Sequence, residues 1–130
     1  AEVEFPHGDI RDEVVGLLGF TGSHCGTFVV RSSEVLARTV VAKMLMMEPE
    51  EFGSFDEAAD GFGELVNMIS GNFKNAWVTR GHRMDLSVPN VIHLGTVHAE
   101  RHTQHAMSAC VKLTFEEGDL FAGVLISQTK

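Results

Sequence analysis

Residues 54–77, SFDEAADGFGELVNMISGNFKNAW, predict a long amphipathic helix around which the rest of the chain is organised. Ser54 and Glu57 have the spacing of a capping box, so we expect the serine side chain to accept a backbone N–H of the first turn. At about 100° per residue, the apolar positions of this segment fall on one face. They are Phe55, Ala58, Ala59, Phe62, Leu65, Val66, Ile69, Phe73, Ala76 and Trp77.

The opposite face of the predicted helix carries a polar stripe. Glu64 and Asn67 are three residues apart, so their side chains should be neighbours on the solvent side. Gly61, Gly63 and Gly71 each cost a helix roughly 0.5–1 kcal/mol relative to alanine. Tight packing would explain the first two, whereas Gly71 would let another molecule approach the stripe. The stripe consists of Asp60, Glu64, Asn67, Gly71 and Lys74, and we interpret it as a contact surface.

Composition indicates one soluble globular domain spanning residues 1–130. The chain has 130 residues, 44% hydrophobic and 22% charged, which is enough for a core of its own. Its formal net charge of −8 argues against nucleic acid or an anionic membrane as the main partner. Neither a signal peptide nor an apolar run of about 20 residues is present, so we expect a cytoplasmic protein. Cys25 and Cys110 lack motif spacing and are expected to be buried or half-buried free thiols.

The remaining segments predict an α+β fold. Residues 12–21 and 27–31 read as a hairpin whose first strand is central, and residues 34–47 as a helix capped by Ser32 or Ser33. Residues 84–88 and 91–94 are extended around Pro89, and residues 105–115 and 120–126 form a closing hairpin. In the first strand of that hairpin we expect Met107, Ala109, Val111, Leu113 and Phe115 to face inward. The result is a largely antiparallel sheet packed by two main helices.

These features resemble the CheX side of the CheC/CheX/FliY family of chemotaxis phosphatases. The motif Asp60-x-x-x-Glu64-x-x-Asn67 lies within DGFGELVNMISGN, and Pro89 follows in LSVPNVI. The first and last hairpins are also similar to those of the family, so the resemblance covers nearly the whole chain. CheC-like members carry two Glu-x-x-Asn motifs, and the single copy here favours CheX. Family members usually open with an amphipathic helix, which we do not find before Asp12, so either the chain has been trimmed or the surface that this helix covers is handled differently.

The resemblance implies a function and a set of residue roles. The substrate would be the aspartyl phosphate of a CheY-like response regulator, which brings its own Mg²⁺ and lysine, so the chain itself would bind no cofactor. Asn67 would orient the attacking water, and Glu64 would pair with the regulator's lysine. Asp60, Gly71 and Lys74 could extend the contact. The resemblance also implies a homodimer.

Two other functions remain open on the sequence. The first is a non-enzymatic module that binds a receiver domain or a flagellar-switch partner through the same stripe. The second is a metal enzyme using His93, His98, His102 and His105, with Glu100, although their spacing fits no HExxH-type pattern and surface histidines are the commoner explanation. A milder role for these histidines is pH sensitivity near neutrality. His24 and Cys25 at a loop tip are a weak candidate ligand pair.

Overall fold

The computed structural model describes residues 2–3, 9–97 and 105–127. Two helices and seven strands are found in these ranges, with a short 3-10 turn at Pro49–Glu51. In chain order the elements are β1 (Glu2–Val3), β2 (Val14–Gly22), β3 (Gly26–Ser32), α1 (Glu34–Leu45), α2 (Phe55–Thr79), β4 (Met84–Leu86), β5 (Asn90–His93), β6 (His105–Phe115) and β7 (Gly118–Ser127).

The strands form one antiparallel sheet, as predicted. Its order is β1-β6-β7-β3-β2-β4, and β5 also pairs with β2, beside β4. Strand β2 is therefore paired along both of its sides, as predicted for the central strand of the first hairpin: β3 lies on one side, while β5 and β4 occupy successive parts of the other and form the sheet edge. The register places Leu17 opposite Asn90 and Phe20 opposite Leu86, so the residues between β4 and β5 pass alongside the middle of β2.

Both faces of β2 are buried, because its side chains alternate between two apolar clusters. Val14 and Leu18 belong to the larger cluster, together with α1 and α2 residues such as Phe62 and Val66. Val15 belongs to the smaller cluster on the other face, with Ile10, Val29 and Cys110. At Gly16 a Cβ would lie 2.5 Å from Cγ2 of Val66, so glycine at this position lets α2 approach the sheet closely.

The helices follow the sequence with two corrections at their ends. Ser33 caps α1, its Oγ accepting the backbone N–H of Leu36 at 3.2 Å. The capping box predicted for α2 is wrong, because the Ser54 side chain accepts no capping hydrogen bond. The carboxylate of Glu57 instead accepts the backbone N–H of Gly53 at 3.0 Å, one residue earlier than predicted. Ala76, predicted to be buried, is exposed, although the neighbouring Trp77 packs against the larger apolar cluster.

The inward face predicted for β6 is also wrong. Helices α1 and α2 do not reach this strand, so its apolar residues remain largely exposed: Met107 57%, Val111 42%, Leu113 45% and Phe115 40%, with Ala109 exposed as well. An open apolar groove of about 420 Å³ runs between β6, β7 and Ile69 and Phe73 of α2. It lies on the apolar flank of α2, away from Glu64 and Asn67.

The N-terminal residues and the cysteines differ in part from the sequence prediction. Ahead of the first predicted strand, β1 pairs with β6 and Ile10 bridges Val97. Cys110 is buried as predicted, whereas Cys25 is exposed, and both thiols are free. Neither α1 nor α2 combines the length and the apolarity that a membrane crossing requires.

Candidate functional site

Glu64 and Asn67 lie side by side on the solvent-facing flank of α2. Glu64 is exposed and Asn67 is half-buried, and both project from the helix flank opposite the buried Phe62 and Val66. The Asn67 side-chain amide donates a hydrogen bond to Oε1 of Glu64 at 3.3 Å. A partner that approaches this flank would therefore meet the carboxylate and the carboxamide together.

The hydrogen bond between the two side chains also orients the carboxamide. An asparagine side chain has an NH₂ donor and a carbonyl acceptor, which point in different directions. With the NH₂ held by Glu64, the carbonyl oxygen of Asn67 is the end available to accept a hydrogen bond from a water. Because the bond is long and the pair is at the surface, an incoming cation can compete for Glu64 without a large cost.

The other stripe residues surround this pair as the helical period predicts. Asp60 lies one turn before Glu64 and is exposed, whereas Lys74 is half-buried further along α2. Among the described residues, and outside the local helix backbone, no heavy atom lies within 4 Å of the position a Cβ would take on Gly71. The surface next to Asn67 is therefore open on the side toward the helix C-terminus.

Of the two glycines nearer the start of α2, Gly61 has the tight packing expected from the sequence, whereas a methyl group on Gly63 would make only ordinary contacts. A Cβ on Gly61 would overlap Cγ1 of Val41, so the absence of a side chain allows α1 to lie against α2. A Cβ on Gly63 would be 3.6 Å from Cγ of Pro89 and 3.8 Å from Cγ2 of Val91. Pro89 therefore sits against the helix backbone one residue before Glu64 and one turn before Asn67.

The segment that carries Pro89 is fixed to the central strand. The backbone N–H of Ser87 donates to the carbonyl of Gly19 at 2.8 Å, and the N–H of Gly19 donates to Oγ of Ser87 at 3.0 Å. Asn90, on the far side of Pro89, pairs with Leu17 of the same strand. Between these anchors Val88 is 82% exposed. The sequence singles out Pro89 through the family resemblance and gives no signal for Val88.

A second polar contact holds the other end of β5. Nε2 of His93 lies 2.7 Å from Oε1 of Glu34, whose Oε2 accepts from Arg38 at 2.9 Å. The hydrogen bond from His93, followed by that from Arg38, lowers the pKa of the Glu34 carboxyl. The His93 ring also stacks on Phe55 at the start of α2, with 4.5 Å between ring centroids. Strand β5 is thus tied to both helices.

The metal alternative has no site in the described part of the chain. No group of three or more histidine, cysteine, aspartate or glutamate side chains among the described residues could hold an ion. His93 pairs with Glu34, and the His24 ring lies against Trp77 and His82 with Cys25 exposed nearby. His98, Glu100 and His102 lie outside the described residues, as does the side chain of His105.

Comparison with known proteins gives the family. Residues 14–114 match the model of the chemotaxis phosphatase CheX, so the chain belongs to the CheX family. No curated protein sequence gives a significant match.

Solved structures show the same fold. A chemotaxis protein CheX from Desulfovibrio desulfuricans is 20% identical, with a TM-score of 0.78, over 97% of this chain and 84% of that one. The chemotaxis protein CheX from Vibrio vulnificus is 25% identical, with a TM-score of 0.70, over 90% of this chain and 77% of that one. A CheX–CheY–BeF3–Mg²⁺ complex from Borrelia burgdorferi contains a chain that is 19% identical, with a TM-score of 0.68, over 92% and 78%.

Proposed function

We propose that this chain is a phosphatase that hydrolyses the aspartyl phosphate of a CheY-like response regulator, with Glu64 and Asn67 as its active site. The observation that carries the proposal is the contact between the Asn67 carboxamide and the Glu64 carboxylate on the open flank of α2. Membership of the CheX family and the CheY partner named in the Borrelia burgdorferi complex support the same function.

The chemistry requires little from the phosphatase beyond positioning. The oxygen of a water forms a bond to phosphorus, the bond between phosphorus and the aspartate oxygen breaks, and the regulator's aspartate leaves as a carboxylate. The water protons pass to the released phosphate and to solvent. In such a reaction, most of the available acceleration comes from placing the water in line and stabilising charge on the phosphoryl oxygens. Mg²⁺ and a lysine of the regulator would stabilise that charge.

Asn67 would place the attacking water. Its carbonyl oxygen accepts from the water, and its amide nitrogen can donate to the water oxygen or a phosphoryl oxygen once Glu64 has turned to the regulator. The side chain does not need to act as a base. The half-burial of Asn67 limits its rotamers before the partner arrives, which favours the oriented state.

Glu64 would fix the docking of the regulator. An exposed carboxylate beside Asn67 can pair with the regulator's lysine as that lysine comes within a few ångströms of the phosphate. Asp60 and Lys74 would add contacts along the stripe, and the open surface at Gly71 would leave room for the partner backbone. The homodimer remains a prediction of the family resemblance.

The proposal is tested by incubating the purified chain with phosphorylated CheY-like regulators from the same organism and following loss of the phosphoryl group. We expect at least one regulator to lose its phosphate about tenfold faster or more, since an aligned water is worth at least that factor. Binding without acceleration would assign the chain to the non-enzymatic alternative. If the chain neither binds any regulator nor accelerates its dephosphorylation, both functions are contradicted.

A further inference from the structure

We infer that the segment Ser87–Val88–Pro89 is a second docking element for the response regulator, with Val88 as its apolar contact. The inference rests on the proposed function, because it names a further part of the surface that the same partner would cover. It differs from the helix motif in its chemistry: the stripe on α2 offers charge and hydrogen bonds, whereas Val88 offers apolar area.

The exposure of Val88 is the first observation. A single exposed valine is ordinary on a protein surface and carries no argument alone. Val88, however, is 82% exposed at a position where both of its neighbours are held in place. Ser87 makes two hydrogen bonds to Gly19, at 2.8 and 3.0 Å, and Pro89 packs against Gly63. The valine is therefore presented on a rigid backbone and loses little entropy when a partner covers it.

The position of the segment is the second observation. Pro89 lies against Gly63, which directly precedes Glu64 and is one turn before Asn67. A protein that reaches the Glu64–Asn67 pair from solvent must therefore pass close to the Val88 side of α2. Met68 is 55% exposed. Met68 directly follows Asn67, and Val88 precedes the proline that packs beside Gly63, so exposed apolar residues adjoin the elements that carry the polar pair and can help to exclude water from it.

The occupant that fits this surface is the receiver domain itself. It must present a lysine to Glu64 and a phosphoryl group to Asn67, and an apolar patch beside its acidic pocket would meet Val88. The net charge of the chain is −8, so its overall field does not attract a partner of negative net charge. Apolar contact beside the site supplies affinity without adding charge, and it would raise binding without changing the chemical step.

The test compares Val88→Asp with Val35→Asp. Val35 is 62% exposed on α1, so the control places the same charge on a similarly exposed valine of another element. The regulator is used in its phosphorylated form for turnover and in its beryllofluoride-loaded form for binding. Val88→Ala provides a milder variant of the same position, and thermal unfolding checks that all three variants are folded.

We expect Val88→Asp to raise KM and Kd about tenfold, which equals about 1.4 kcal/mol, with kcat unchanged. Val88→Ala should give a smaller rise, and Val35→Asp should match the wild type. Wild-type affinity in Val88→Asp, or equal losses in both aspartate variants, would overturn the docking role. The two proposals can also fail separately. If the wild type binds a regulator without dephosphorylating it, and Val88→Asp binds that regulator more weakly, the proposed activity is overturned and the docking role stands.

Discussion

The side chains on one flank of α2 stabilise the core, and those on the other flank form an open surface. On the buried flank, Phe62 and Val66 are fully inaccessible and pack over Gly16 of the central strand. On the open flank, Glu64 is exposed, Asn67 is half-buried, and the two side chains are joined by a hydrogen bond. One helix can serve both purposes, because its period of 3.6 residues per turn places the two sets of side chains on different flanks. Changes on the open flank should therefore alter partner recognition and leave folding almost intact.

The largest effect that would test this separation is a charge reversal at Glu64. Glu64→Lys should raise KM for the phosphorylated regulator on the order of 10- to 100-fold, because an attraction for the regulator's lysine becomes a repulsion. The urea midpoint should stay close to that of the wild type. The control is Glu50→Lys, which makes the same change in net charge at an exposed position of the 3-10 turn. Equal KM values for the two variants would remove Glu64 from docking.

Replacing glycine by alanine at two positions of α2 should change the free energy of unfolding by a smaller amount, and in opposite directions. Gly61→Ala should lower the free energy of unfolding by about 1–3 kcal/mol, because the new methyl overlaps Val41. Gly71→Ala should raise it by about 0.5–1 kcal/mol, because a Cβ there has open space among the residues that the structure describes and alanine is the better helix former. Urea unfolding of both variants measures the difference. Changes of the same sign would mean that the two flanks do not differ in packing.

The smallest effect concerns the contact that ties β5 to α1. The pKa of Glu34 is lowered in the folded protein by His93 and Arg38, so its ionised form favours folding. That contribution is complete above the ordinary carboxyl pKa and is lost as the pH falls through the lowered value. Glu34→Gln should therefore reduce the drop in urea midpoint between about pH 6 and the acid range below pH 4. An identical drop in variant and wild type would show that Glu34 is not coupled to folding. The substitution changes only the Glu34 side chain, so the hydrogen bond from the Glu34 backbone N–H to the Glu13 carboxylate can still form.

Much of the fold follows from the sequence, and the misses have physical causes. The amphipathic period of α2, the cap predicted at Ser32 or Ser33 and the apolar character of both faces of residues 12–21 predicted the helices and the strand β2. The period of β6 was also read correctly, but the sequence does not show how far the helices extend over the sheet. Its apolar face was therefore predicted to be buried and is largely exposed. Likewise, the spacing of Ser54 and Glu57 fits a capping box, yet Glu57 reaches Gly53 instead.

The candidate site likewise combines a contact within one helix, which the sequence predicts, with contacts between distant residues, which it does not. Adjacency of Glu64 and Asn67 is a property of one helix, so their spacing was sufficient to predict it. The contact of Pro89 with Gly63 joins residues far apart in the chain, and the clamp of Ser87 on Gly19 does the same. Neither contact could be read from a pattern, so the role of Val88 became visible only when the strands were placed.

The most direct measurement of the central claim is the single-turnover rate of regulator dephosphorylation by two asparagine variants of α2. Asn72 is exposed on the same helix but borders the apolar groove, so Asn72→Ala is matched to Asn67→Ala in chemistry and differs in flank. We expect Asn67→Ala to lose about a hundredfold in rate while remaining folded, and Asn72→Ala to keep the wild-type rate. Equal rates for Asn67→Ala and the wild type would contradict the claim that the Asn67 carboxamide positions the attacking water.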